Sequence, residues 1–169
     1  MIKYVHGDLF SHVKKSKKQV VVPHIVNNVG LWGSGFVIGV SDHYPGAEKS
    51  YRSKRQLELG DVDYYTCDNI TVANMVAQNG VKGYAKVPMY NDPKPIRYAA
   101  LCECMGWVHT YCKTWGCEIH APMFGADRAG GNWSFISELI DEIWRDISVT
   151  IYYLNKESFE KNVQNNRRR

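Results

Sequence analysis

Two glycine-bearing segments carry the residues whose types and spacing suit chemistry. The first reads Asn27-Asn28-Val29-Gly30-Leu31-Trp32-Gly33-Ser34-Gly35 and follows a strongly apolar stretch. The second reads Pro122-Met123-Phe124-Gly125-Ala126-Asp127-Arg128-Ala129-Gly130-Gly131, with Asn132 next as a helix cap. Each lies between an expected strand and an expected helix, which is where open α/β sheets bind ligands. A helix N-terminus offers unpaired N–H groups and the positive end of a dipole, and both suit phosphate. Two such loops at one crevice imply a ligand with more than one phosphate or sugar, a nucleotide or something like it. Gly30-x-x-Gly33-x-Gly35 lacks the dinucleotide-fingerprint spacing, and no Gly-Lys-Ser/Thr ending of a Walker A loop is present. Asn27 and Asn28 place amides where a strand opens, and such groups need partners. His24, three residues earlier, is able to act as general acid or base near pKa 6.5, although a lone strand-end histidine is usually structural.

The elements that must position these loops alternate. Ile2–His6 reads as a short strand, and 19–26 as a second with Val20, Val21, Val22, Ile25 and Val26 in a near-continuous run. Such a run suits a strand buried on both faces. A helix is expected through Val40 and another from Pro45, with Ala47, Tyr51 and Arg55 at steps of four. Residues 61–67 and 70–77 read as a hairpin around Asp68-Asn69. The longest helix, 96–115, has a stripe of Leu101, Met105, Val108, Cys112 and Trp115, and Gly116 stops it. Strand 117–121 leads to the second loop. The next helix buries Trp133, Ile136, Ile140, Ile143, Trp144 and Ile147, and 148–154 is a final strand. The pattern predicts an α/β fold, a three-layer α/β/α domain over 1–155 with a central mixed sheet, and a polar, basic tail over 156–169.

Composition bounds the function. The 169 residues suit one domain, and 44% hydrophobic with 22% charged excludes a disordered or low-complexity chain. No apolar run is long enough to span a bilayer and no secretory signal is evident, so a cytoplasmic location is expected. The net charge is +4, and Arg167, Arg168 and Arg169 supply three of it, so neither this tail nor the Lys14, Lys15, Lys17, Lys18 cluster calls for a nucleic-acid partner. Five cysteines (67, 102, 104, 112 and 117) with no Cys-x-x-Cys pair argue against a zinc site and a disulfide framework, so no metal or cofactor is expected.

Gly7-Asp8-Leu9-Phe10, His24-Ile25-Val26-Asn27-Asn28, the Gly30–Gly35 run, Tyr44-Pro45-Gly46-Ala47-Glu48-Lys49-Ser50-Tyr51 and Ala121-Pro122-Met123-Phe124-Gly125 through Trp133 together resemble the macrodomain family. The resemblance extends over residues 1–154 and is particularly like the ADP-ribose-1''-phosphate phosphatases and related glutamate-linked ADP-ribose hydrolases. It implies that Asp8 accepts a hydrogen bond from the adenine amine, the alternative being a turn or cap aspartate. It implies that Asn27 lies beside the distal ribose, where Gly33, Ser34 and Gly35 let the backbone approach. Gly125 to Gly131 would cradle the diphosphate. The implied binding set also takes in Leu9, Phe36, Pro122, Phe124, Ala126, Arg128, Ala129, Gly130 and Tyr152, and alternation sends either Tyr152 or Tyr153 to the adenine. His24 matches a histidine implicated in catalysis, and Asp127 is the candidate carboxylate beside it.

Two departures qualify the match. The second loop reads Gly125-Ala126-Asp127 where Gly-x-Gly is common, so either its backbone differs or Asp127 and Arg128 act on substrate, Arg128 clamping a terminal phosphate. The bland alternative is two solvent-facing charges. Gln78 stands near the place where the glutamate-linked hydrolases carry a lysine nucleophile, which disfavours that reaction. Three functions follow as expectations: a phosphatase acting on ADP-ribose-1''-phosphate, a non-catalytic reader of ADP-ribose or mono-ADP-ribosylated targets, and a hydrolase acting on an ADP-ribosylated macromolecule.

Overall fold

The computed structural model describes residues 1–167. Six strands form one sheet: β1 (Ile2–His6), β2 (Val20–Asn27), β3 (Val62–Cys67), β4 (Ile70–Gln78), β5 (Glu118–Pro122) and β6 (Val149–Tyr153). Their order is β1-β6-β5-β2-β4-β3; every neighbouring pair is parallel except β3 with β4. The mixed sheet expected from the alternating pattern is therefore present. Its antiparallel hairpin turns at Asp68, which takes a left-handed φ of 54° that a short polar side chain tolerates.

Helices α1 (Leu9–Val13), α2 (Phe36–His43) and α3 (Pro45–Ser53) cover one face. Helices α4 (Tyr98–Trp115), α5 (Trp133–Ile143) and α6 (Lys156–Arg167) cover the other. Because side chains alternate along a strand, β2 sends Val20, Val22 and Val26 to the first layer and Val21 to the second. Its near-continuous apolar run reflects that double burial. Asn132 caps α5 by accepting from the Ser134 N–H at 2.9 Å, and Trp133, Ile136 and Ile140 are buried as the periodicity requires. Trp144 follows in the same core, its Nε1 donating to the Met105 carbonyl at 2.9 Å. Among the described residues no helix is long and apolar enough to cross a membrane.

Several expectations need correction. Trp115 does not belong to the α4 stripe, being 64% exposed; Cys104 is buried beside Leu101, Met105, Val108 and Cys112. Helix α1 escaped the sequence pattern because five residues are too few to show a helical period. The segment read as polar tail forms α6, with Asn155 accepting from the Ser158 N–H at 2.9 Å. Phe159 stacks on Tyr153 with ring centroids 3.8 Å apart and planes 5° from parallel, and it also meets Tyr4 at 5.1 Å. Arg168 and Arg169 lie outside the described residues. An aromatic pair of this kind holds a polar helix to the sheet where little else does. In Phe159→Ala, α6 amides should exchange with solvent about tenfold faster or more, while β2 and β4 amides keep their protection. Hydrogen-exchange mass spectrometry resolves the two.

Candidate functional site

The two glycine loops leave neighbouring strands, β2 and β5, at the same edge of the sheet. Asn27 builds the first loop. Its Oδ1 accepts from the Val29 N–H at 3.1 Å, the Leu31 N–H at 3.0 Å and the Tyr51 hydroxyl at 2.9 Å, while Nδ2 donates to the Leu31 carbonyl at 2.8 Å. The side chain expected beside a ribose thus holds its own loop in shape and keeps one amide N–H free. Asn28 ties the loop to the end of β4, donating to Asn79 Oδ1 at 3.1 Å and accepting from the Gly80 N–H at 2.8 Å. Buried Trp32 anchors the far side through Ser41, Nε1 to Oγ at 2.6 Å. Gly35 stands at the α2 N-cap with φ 77°, and no side chain caps that helix end. Gly33, Ser34 and Gly35 are exposed, so the first-turn N–H groups of α2 face an open rim.

The second loop is drawn inward at Gly125, which has φ 78° and would place a Cβ within 3.0 Å of Ile25, Ile96 and Ile136. The loop closes on itself where the Gly131 N–H donates to the Gly125 carbonyl at 2.7 Å. The left-handed positions here are Gly125 and Gly130, so Asp127 is not strained by the missing glycine. Asp127 and Arg128 are exposed, and the Arg128 side chain reaches Gly35, whose Cβ position is 4.0 Å from Arg128 Cδ and Nε. The two loops therefore meet across one opening.

Beside that opening lies a cavity of about 460 Å³. Of the expected binding residues, Asp8, Leu9, Gly35, Phe36, Pro122 and Tyr152 line it. Asp8 unites its two readings: it lines the cavity and also caps α1, with Oδ2 accepting from the Ser11 N–H at 2.9 Å and the Ser11 hydroxyl at 2.6 Å. The Ser11 hydroxyl, more than any other group, holds its carboxyl below the usual range. Tyr152 and Tyr153 point to opposite faces, yet both reach the cavity from the end of β6. Asn27, Gly33, Ser34, Gly125, Ala126, Asp127, Arg128 and Gly130 are on the two loops and not in its wall. Phe124 and Ala129 send their side chains into the core, Phe124 against Trp133 and Trp144, so only their backbones are available to a ligand. The sequence reading missed Phe159, Ser158 and Asn155 of the C-terminal segment, and His43 and Gly39 of α2. An Asn155-x-x-Ser158 cap before Phe159 was the available signal.

His24 is 1% exposed, enclosed by Trp32 and Phe36, each with a ring centroid 5.5 Å away. Its Nε2 is 2.5 Å from Asn74 Oδ1, and its Nδ1 has no hydrogen-bond partner among the described residues. A buried polar atom left so costs about 1–3 kcal/mol. Burial pushes the imidazole down to about 4, against the upward pull of Asn74. The ring is therefore neutral at pH 7, which removes it as a general acid there and leaves it an acceptor.

No family model matches the sequence. A macrodomain protein from Streptomyces coelicolor superposes with a TM-score of 0.74 at 31% identity, over 92% of this chain and 100% of that one. The chain belongs to the macrodomain family. Two curated relatives are ADP-ribose 1''-phosphate phosphatases, from Lodderomyces elongisporus at 38% identity over 50 residues and Candida albicans at 35% over 51. Each match covers 30% of this macrodomain and only 31% and 33% of the respective relative's length.

The buried histidine of this macrodomain gives its stability a pH dependence of known sign. Between about 4 and 6.5 the unfolded chain takes up a proton that folded His24 refuses. Stability is full above pH 6.5 and falls as pH drops through that window, by roughly 3 kcal/mol from this group. Urea titrations across pH should show the slope in the wild type, and His24→Gln should flatten it.

Proposed function

We propose that this macrodomain binds ADP-ribose and removes the terminal phosphate of ADP-ribose-1''-phosphate. The observation that carries the reading is the junction of the two glycine loops at Gly35 and Arg128, beside a cavity walled by Asp8 and aromatic rings. A base fits the aromatic end, where the Asp8 carboxylate is an acceptor for an exocyclic amine. The diphosphate fits the rim, where α2 presents an uncapped N-terminus and the second loop turns its backbone. Arg128 is suited to pair a terminal phosphate bidentately, and Asp127 beside it to orient or deprotonate an attacking water. Oriented backbone donors would stabilise the charge that develops on the phosphoryl oxygens. The partial likeness to two phosphatases supports the reaction, and Gln78 offers no amine for a lysine-type attack on the sugar.

A second reading, a reader of ADP-ribose or ADP-ribosylated targets, is favoured by one observation: His24 is enclosed and neutral at pH 7. Phosphorus NMR of ADP-ribose-1''-phosphate with the protein separates the two. The phosphatase releases inorganic phosphate in proportion to protein, and Asp127→Asn slows release about a hundredfold while ADP-ribose affinity holds. Shifted diphosphate resonances with the terminal phosphate intact would make the protein a reader. Unshifted resonances without release would refute both.

A further inference from the structure

Tyr152 lines the cavity together with Pro122, its registered partner on β5, and its side chain belongs to the layer of α1, α2 and α3. Its hydroxyl is turned away from the ligand space. The phenol oxygen is 2.7 Å from His120 Nδ1, and His120 stands two residues back along β5, opposite Thr150. Two strand steps put it about 7 Å behind Pro122. The phenol therefore leans away from the carboxyl ends of the strands and lies along the floor of the cavity. A change of χ1 rotamer redirects a strand side chain, and for Tyr152 the space on the other side is the cavity itself.

His120 is in turn held. Glu118, on the same face of β5, accepts from His120 Nε2 at 3.0 Å and from Lys18 Nζ at 3.1 Å. Burial pushes the Glu118 carboxyl up, but the bonds from His120 and Lys18 outweigh it and hold the group below its usual range. An ionised carboxylate only accepts, so Nε2 carries a hydrogen. In the neutral ring Nδ1 then accepts from the Tyr152 hydroxyl; in the cationic ring it donates to the phenol oxygen. The bond persists in both. The His120 and Glu118 side chains are 14% and 18% exposed, so water competes little for them. Among the described residues the Tyr152 hydroxyl makes no other hydrogen bond. His12 packs on the ring from α1, with centroids 5.1 Å apart, and is itself fixed to the Asp8 carbonyl at 2.8 Å.

We infer that His120, fixed by Glu118, is a positioning residue for the base site: it holds the Tyr152 phenol back along β6, so that the ring floors the cavity and does not fill it. The inference rests on the proposed function, which puts a base at this aromatic end. The width of the cavity is thus set from behind its wall, by a histidine that touches no ligand.

Calorimetric titration of the full chain with ADP-ribose tests the role. His120→Ala should weaken binding about fivefold or more, the weight of one hydrogen bond, and raise KM for ADP-ribose-1''-phosphate while kcat holds. His120→Asn, whose Oδ1 stands where Nδ1 stood, should restore most of the affinity. In a Tyr152→Ala background there is no ring to release, and His120→Ala should cost nothing further. Equal losses with and without Tyr152 would make His120 a support of β5 alone and overturn the inference, as would unchanged affinity in His120→Ala. Nuclear Overhauser contacts of the Tyr152 ring in the ligand-free protein give a second readout. They should run to His12 and His120 in the wild type, and to cavity residues such as Phe36 in His120→Ala. A ring that keeps its place in that variant would overturn the tether. A wild-type protein that does not bind ADP-ribose would instead refute the proposed function, and the Overhauser contacts would still decide what holds Tyr152.

Discussion

A strand covered by helices on both faces cannot hand its polar groups to water, and β2 is that strand here. Its backbone pairs in parallel with β4 from Val20 to Asn27 and with β5 at Val20 and Val21. Where the pairing runs out, at Asn27 and Asn28, side-chain amides and the Tyr51 hydroxyl take over. The first glycine loop is a product of that need. Its turn is held by the strand that ends there, and its exposed glycines are what remains for a visitor. His24 and Asn74 obey the same rule one turn of the pleat further in, where the partners are other side chains of the sheet.

The second loop solves a different problem. It must pass close to Ile25, Ile96 and Ile136 before α5 begins, and only a residue without a Cβ fits at Gly125. That closeness, together with the closure between Gly125 and Gly131, turns the loop back toward α2 and sets Arg128 against Gly35. Packing behind the loop thus sets the position of charge in front of it, which is how a scaffold pre-organises a site built on loops.

Much of the fold was legible. The double-sided burial of β2, the hairpin at Asp68-Asn69, the Gly116 stop and the Asn132 cap each have a local cause that a sequence displays. Trp115 fits the stripe by angle, lying between the buried Cys104 and Val108, but it is the last residue of α4 before the Gly116 cap, where the helix end is open to solvent. Helix α6 was hidden by its polarity: one phenylalanine and one valine hold it, and neither makes a period. In the site, the loops were visible as glycine patterns, but the cavity wall was not. Phe159 and Asp8 are far apart in sequence and meet only because β1 and β6 pair. Nor could sequence show that Asn27 looks inward to its own loop, since a carboxamide reads the same whether its partners are protein or ligand.

The pairing of β1 with β6 has a consequence for how the molecule comes into being. The cavity draws on residues from Gly7 to Phe159, so β1 has no complete wall beside it until β6 and α6 have joined it. Helix α6 then closes the wall by stacking on the strand made just before it. Contacts between segments so far apart in sequence form late and slowly. Occupancy of this pocket would therefore report that β1, β6 and α6 have come together, and a ligand that prefers it would favour the folded arrangement over one with α6 undocked.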